Sequence, residues 1–193
     1  MKEESVVKLP QRGGRGVWVK PFILTAAHCT KSDIDGRWAH HEEVETHLGK
    51  FRAAIFFVDP VSDIAVLGHA DYQGDLPEDA AAFDSFCDST EGFPLCRQKM
   101  EWNSHLPFPV SILNQDGEWM PGQARFCLER PILFTVDTLS PIDAGASGGP
   151  ILNAAGELLA LVSNGTSYGT HPYVYRALPE WILSEIHYHS SAP

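Results

Sequence analysis

The chain has 193 residues, of which 44% are hydrophobic and 20% charged, enough to form one or two globular cores. The formal net charge of −11 disfavours nucleic acid and anionic membranes as partners, because both bind basic surfaces. No apolar run is long enough to span a bilayer, and the acidic start M-K-E-E is unlike a signal peptide.

The first third of the chain predicts short antiparallel strands. β-branched and aromatic runs at Val6–Leu9, 17–19 and 22–24 are separated by glycine and proline. The segment T-A-A-H-C-T follows, and then a polar loop rich in histidine and acids over about 31–50. Two further strands are predicted at 51–58 and 63–67, the second of which begins with an acid.

The rest of the chain predicts a second group of strands and one helix. Residues 69–104 have no regular pattern, and we interpret them as surface strand pieces that connect two halves. Strands are then predicted over the ranges 108–113, 118–120, 123–129, 132–137, 150–152, 157–163 and 173–177. Leu178, Trp181, Ile182 and Ile186 have helical spacing, which predicts a closing helix over about 178–189.

The cysteines indicate a reducing compartment. Cys29, Cys87, Cys96 and Cys127 are scattered, without the spacing of a disulfide framework or a zinc site. We therefore expect free thiols and a cytoplasmic protein, with a Cys87–Cys96 disulfide as the alternative.

The segment D-A-G-A-S-G-G-P, residues 143–150, predicts a nucleophilic serine. Gly145 can adopt backbone angles that are closed to other residues, so its N–H and that of Ser147 can converge on one point. Two such donors beside a hydroxyl form an oxyanion hole beside a nucleophile. The alternative is an ordinary glycine-rich hairpin, unless the chain also supplies a base and a carboxylate.

His28 and Asp63 are the candidates for that base and that carboxylate. A serine needs a base to take its proton, and the base needs a carboxylate to orient it. His28 ends an apolar strand within a small-residue stretch, and Asp63 opens the buried strand D-I-A-V-L, where an unpaired carboxylate would be costly. The alternatives are a core histidine bonded to the backbone and an acid that caps a strand.

Together, T-A-A-H-C, D-I-A-V-L and G-A-S-G-G-P resemble the three motifs of the trypsin-like serine proteases, in that family's order. L-V-S-N-G at 161–165 resembles the strand that lines the specificity pocket, and P-Y-V-Y-R-A-L-P-E-W-I at 172–182 resembles the last strand and closing helix. The resemblance spans about residues 6–188.

The resemblance implies an all-β fold of two packed antiparallel six-stranded β-barrels with a C-terminal α-helix. The single domain, 1–193, would hold an N-terminal barrel over about 5–100, a C-terminal barrel over about 105–177 and the closing helix. Ser147 would attack the scissile carbonyl, His28 would move the proton, Asp63 would orient His28, and the N–H groups of Gly145 and Ser147 would hold the oxyanion. Ser163 would support Asp63. The residues implied in substrate binding are Pro141, Ile142, Ser163, Asn164, Gly165 and Tyr173.

Three departures from the family pattern refine this expectation. Ala146 replaces the acid that pairs with a new N-terminus after zymogen cleavage, and Cys29 lacks its family partner cysteine. Both features resemble the disulfide-poor bacterial and HtrA-like branch, without room for a PDZ domain after Pro193. Pro141 stands where trypsin has its specificity acid, which favours small or medium apolar side chains before the cut.

These motifs predict a serine endopeptidase that needs no cofactor, acts on proteins or peptides, and is activated by a protein partner. The alternatives are a dormant protease-fold binding module and an esterase with the same triad. A metal site is disfavoured, because no tight two-ligand helical spacing occurs in the polar stretch that contains His40, His41, Glu42, Glu43 and His47.

Overall fold

The computed structural model describes residues 3–30, 40–70, 76–96, 106–126, 134–163, 165–166, 169–170 and 180–190. Its first half is a closed six-stranded antiparallel barrel in the order β1-β2-β3-β6-β5-β4. The strands are β1 Val6–Leu9, β2 Gly14–Val19, β3 Phe22–Thr25, β4 His41–Thr46, β5 Gly49–Asp59 and β6 Ile64–Gly68. Pairing of Lys8 in β1 with Glu45 in β4 closes the barrel.

Strand β4 corrects the predicted polar loop over 31–50, of which residues 31–39 lie outside the described part. Glu42 and Val44 are buried, whereas His41, Glu43 and Glu45 are only partly so. This alternation is the period of a strand, and pairing with β5 and β1 stabilises it. The many charges obscured the pattern, because only every second residue faces the barrel.

Helix α1, Pro77–Ser89, corrects the predicted surface strand pieces in 69–104. It starts with proline and two acids, which suit a helix N-terminus. Phe83 and Phe86 are buried and pack edge-on against Trp18, with ring centroids 5.9 and 5.5 Å away. The helix therefore completes the core of the first barrel.

The second half is a seven-stranded antiparallel sheet among the described residues, in the order β11-β10-β7-β8-β9-β13-β12. Its strands are β7 Phe108–Leu113, β8 Trp119–Phe126, β9 Phe134–Thr138, β10 Pro150–Asn153, β11 Leu158–Leu161, β12 Gly165–Thr166 and β13 Gly169–Thr170. The predicted strands 118–120 and 123–129 are one continuous strand up to residue 126, because β8 pairs with β7 without interruption. The predicted strand 173–177 lies outside the described residues.

Helix α2, Glu180–Ser190, confirms the predicted C-terminal helix within its described part. Ile182 and Ile186 are buried, whereas Trp181, also predicted to lie on the apolar face, is 55% exposed. Neither α1 nor α2 is long and apolar enough to cross a membrane.

One apolar cluster joins the two halves. Leu24 and Val66 of the first barrel belong to the same buried cluster as Ile112 and Ile151 of the second sheet and Ile182 of α2. This shared core holds the two halves against each other, so loops from both can form one site. The fold is the all-β architecture predicted, with a closing helix.

Candidate active site

His28 lies on a short 3-10 turn, Ala27–Cys29, directly after β3. Ala26, Ala27 and Cys29 are buried, whereas the His28 side chain is 46% exposed. The Thr30 hydroxyl donates to the Ala27 carbonyl at 2.7 Å and fixes the turn. The small buried neighbours thus seat the backbone against the core and direct the imidazole outward.

Asp63 faces His28 from the start of β6. His28 Nδ1 lies 2.8 Å from Oδ2 and 3.0 Å from Oδ1 of Asp63, and the backbone N–H of His28 also donates to Oδ1 at 3.0 Å. Asp63 has φ +52°, the only positive φ outside glycine among the described residues. Non-glycine residues seldom adopt this conformation, and strained backbone of this kind concentrates at functional sites.

The two side chains stabilise each other's charged forms. The hydrogen bond to Asp63, with a smaller contribution from Cys29, raises the pKa of His28 from 6.5 to about 10. Burial by itself would raise the pKa of Asp63, but hydrogen bonds from His28 and Ser163 outweigh it and lower that pKa. This contact therefore favours a protonated His28 beside an ionised Asp63.

Ser147 lies in the loop before β10, which glycines shape. Gly145 has φ +99° and Gly148 has φ +77°, both in the region that favours glycine. A Cβ on Gly148 would overlap the carbonyl oxygen of Arg15, so the loop is pressed against β2. The Gly148 N–H donates to the Val162 carbonyl at 2.7 Å, and the Arg15 N–H donates to the Ser147 carbonyl at 2.8 Å.

Ser163, which follows β11, connects the serine loop to the acid. Its hydroxyl donates to Asp63 Oδ2 at 2.6 Å, and its carbonyl accepts from Ser147 Oγ at 3.4 Å. In the described part of the chain, no hydrogen bond of 3.5 Å or less joins Ser147 to His28. The structure thus brings Asp63 into contact with both His28 and Ser163, and Ser163 into contact with Ser147.

Among the described residues, no group accepts a hydrogen bond from either predicted oxyanion donor, the N–H of Gly145 or of Ser147. The N–H groups of their neighbours are occupied, since Ala146 donates to Asp143 and Gly148 donates to Val162. A loop with two unoccupied donors beside a hydroxyl is suited to bind a developing negative charge.

The predicted pocket residues lie in different environments. Pro141 is exposed, whereas Ile142 is fully buried in the shared core, so its side chain does not line an open pocket. Ser163 is buried against Asp63. Gly165 begins β12, while Asn164 and Tyr173 lie outside the described residues.

Two contacts of the serine loop were not predicted. The Arg15 guanidinium and the Gln115 side chain both bind it, at Gly145 and Asp143 respectively. A lone charge in the apolar strand G-R-G-V-W-V was the available signal for Arg15, whereas Gln115 sits in an ordinary turn sequence.

The cysteine environment agrees with the sequence. Cys29, Cys87 and Cys96 form no disulfide with one another, which disagrees with the alternative Cys87–Cys96 disulfide, and Cys127 lies outside the described part. A Cβ on Gly14 would overlap Sγ of Cys29, so this glycine packs directly against the thiol.

Comparison with solved structures identifies the fold. The human pathogenic astrovirus serine protease is 18% identical with a TM-score of 0.59, covering 90% of this chain and 91% of its own. The active form of the Rv3671c protease from M. tuberculosis is 16% identical with a TM-score of 0.63, covering 100% and 83%. The HtrA-type protease AlgW with a decapeptide is 18% identical with a TM-score of 0.55, covering 91% and 52%. No protein-family model and no curated protein matches the sequence. The chain has the chymotrypsin fold of the trypsin-like serine proteases.

Proposed function

We propose that the protein is a serine endopeptidase that works through a Ser147-His28-Asp63 triad. The observation that carries the proposal is the pair of short contacts between His28 Nδ1 and the Asp63 carboxylate, at 2.8 and 3.0 Å. In the neutral form of His28, Asp63 holds the ring proton on Nδ1 and leaves Nε2 free to act as the base. The neighbouring structures support the substrate class, since all three are described as proteases.

The proposed reaction is acyl transfer in two steps. Neutral His28 takes the hydroxyl proton of Ser147 as the oxygen attacks the scissile carbonyl. The N–H groups of Gly145 and Ser147 hold the resulting oxyanion, and His28 returns the proton to the leaving amine. Water then attacks the acyl-enzyme while His28 takes a proton from it. His28 returns that proton to the oxygen of Ser147 as the acyl group leaves, which regenerates Ser147.

The orientation of Ser147 in the structure favours a second candidate, a dormant enzyme that a partner activates. Its hydroxyl contacts the Ser163 carbonyl at 3.4 Å instead of His28. Catalytic hydrogen bonds of unliganded enzymes are often long and tighten only when the substrate binds. The contact of Ser147 with Ser163 instead of His28 is therefore compatible with an enzyme that becomes active on binding. Activation by a protein partner stays a prediction.

Substrate preference is proposed from the residue at the expected pocket floor. Pro141 carries no charge there, which supports cleavage after small or medium apolar side chains. A peptide library read by mass spectrometry tests this directly. Cleavage dominated by Arg, Lys or Asp before the cut would contradict it.

Labelling with a fluorophosphonate probe tests the triad. We expect wild-type protein to be labelled and both Ser147→Ala and His28→Ala to remain unlabelled while keeping the wild-type circular dichroism spectrum. Absence of labelling in folded wild type would contradict an assembled triad and support the dormant state. Hydrolysis of ester but not peptide substrates would instead identify an esterase.

A further inference from the structure

Arg15 reaches from the first barrel into the loop that carries the oxyanion donors. Its Nε donates to the Gly145 carbonyl at 3.0 Å, and its Nη2 donates to the Gln115 carbonyl at 2.7 Å. The Arg15 side chain is partly buried, and the backbone N–H of Arg15 donates to the Ser147 carbonyl at 2.8 Å. One residue of β2 therefore contacts the serine loop at two points and the β7–β8 turn at a third.

The β7–β8 turn is a firm support for this contact. The side chain of Asn114 is buried, and its Oδ1 accepts from the N–H groups of Asp116 at 3.0 Å and Glu118 at 2.8 Å. From this turn the Gln115 side chain accepts the N–H of Asp143 at 3.2 Å. The turn thus holds the start of the serine loop while it also anchors Arg15.

These contacts fix one peptide plane. The peptide between Gly145 and Ala146 has its carbonyl bonded to Arg15 and its N–H bonded to the Asp143 carbonyl at 3.2 Å. Gly145, at φ +99°, has more conformational freedom than the alanine and serine that follow it. Fixing this plane limits the rotation of the two neighbouring peptides, which carry the Gly145 and Ser147 N–H groups.

Ala146, which follows Gly145, cannot fix this peptide through a charged contact. Ala146 is fully buried within the shared apolar core, where the trypsin-like pattern has an acid that pairs with a cleaved N-terminus. An apolar side chain seats the loop but offers no charged contact. The cation that contacts this loop is instead supplied by Arg15, which is internal to the chain and needs no cleavage.

We propose that Arg15 is a positioning residue that holds the Gly145–Ala146 peptide in the orientation required for an oxyanion hole. This inference rests on the proposed function. In this proposal, Arg15 orders the oxyanion loop without an N-terminus that cleavage would create. Arg15 touches neither the attacking hydroxyl nor the base, so its effect passes through the loop backbone.

The test is saturation kinetics of fluorophosphonate labelling, because the probe's phosphoryl oxygen must enter the oxyanion hole. We expect Arg15→Met, which keeps the stem but removes the donors, to lower the maximal labelling rate between about 10- and 100-fold at an unchanged half-saturating concentration. Arg15→Lys, with a charge but no fork of donors, should fall between wild type and Arg15→Met. Guanidinium ion at a sub-denaturing concentration should restore part of the rate in Arg15→Ala but not alter the rate of wild type.

Arg52→Met is the matched control, because Arg52 also uses Nε and Nη2 of its guanidinium, here on Oδ2 of Asp79 in α1. It should label at the wild-type rate. Equal maximal rates in wild type, Arg15→Lys and Arg15→Met would overturn the positioning role while the proposed triad stands. A folded wild type that resists labelling as fully as Ser147→Ala would refute the proposed function, and the role of Arg15 with it.

Discussion

Replacement of Asp63 by asparagine should return the pKa of His28 toward its ordinary value. The carboxylate accepts from Nδ1 and the backbone N–H of His28 and from Ser163, at 2.6 to 3.0 Å. It raises the pKa of His28 from 6.5 toward about 10. Because the His28 side chain is 46% exposed, solvent screens part of this interaction, and we expect the wild-type pKa to lie between those two values. Asparagine removes the negative charge, so the pKa should fall in Asp63→Asn.

Proton NMR of the imidazole measures this pKa directly. The titration is run in the Ser147→Ala background to suppress turnover, and the His28→Ala spectrum assigns the signal. Neutral His28 is the proposed base, so the labelling rate of active wild type should rise with pH through the same pKa. In well-studied Ser-His-Asp enzymes, the same acid-to-amide change lowers kcat about 10⁴-fold by favouring the wrong tautomer.

We expect a loss of that order in Asp63→Asn at neutral pH. An unchanged His28 pKa in Asp63→Asn, or a labelling rate within tenfold of wild type, would refute the reasoning from this contact.

Three further changes test other parts of the structure. Ser163→Ala removes the 2.6 Å hydrogen bond to Asp63 and should slow labelling about tenfold; an unchanged rate would show that this bond does not support the acid. Gly148→Ala should destabilise the protein by about 3 kcal/mol in urea unfolding, since its Cβ would overlap Arg15. Gly156→Ala, at a similar φ of +78° but with open space, should cost only about 1 kcal/mol, and equal losses would contradict the overlap. The raised pKa of His28 stabilises the fold fully below its unfolded value of 6.5, and this is lost as pH rises toward 10. The unfolding free energy of wild type should therefore fall relative to Asp63→Asn across that window, and parallel curves would exclude the linkage.

The strands were predictable from sequence wherever local pattern and tertiary burial agree. Val6–Leu9 and Phe108–Leu113 have the predicted bounds, because glycine, proline or turn residues end them and their apolar side chains enter a core. Helix α1 was missed because its signal is weak locally. Leu76 offers no capping side chain, and the helix is recognisable mainly by the way Phe83 and Phe86 pack on Trp18.

The candidate residues of the site could be proposed from the sequence because the proposed chemistry depends on residue types in short motifs. Three motifs each indicate a local backbone geometry: a histidine after two alanines, an acid at the start of an apolar strand, and a serine between glycines. Contacts across the fold were not visible in this way. Ser163 was assigned to Asp63 only through the family resemblance, and the contact joins residues 100 positions apart.

Arg15 shows the limit most clearly. Its partner Gly145 is 130 positions away, and the bond is to a carbonyl, which every residue possesses. No residue type in the sequence identifies a backbone carbonyl as the partner of Arg15. The contact forms only when the barrel and the second sheet pack together. The sequence by itself determined which groups are candidates for the reaction, because that follows from side-chain chemistry and local backbone freedom. The tertiary structure alone decided what holds them in place, because backbone acceptors acquire partners only through packing.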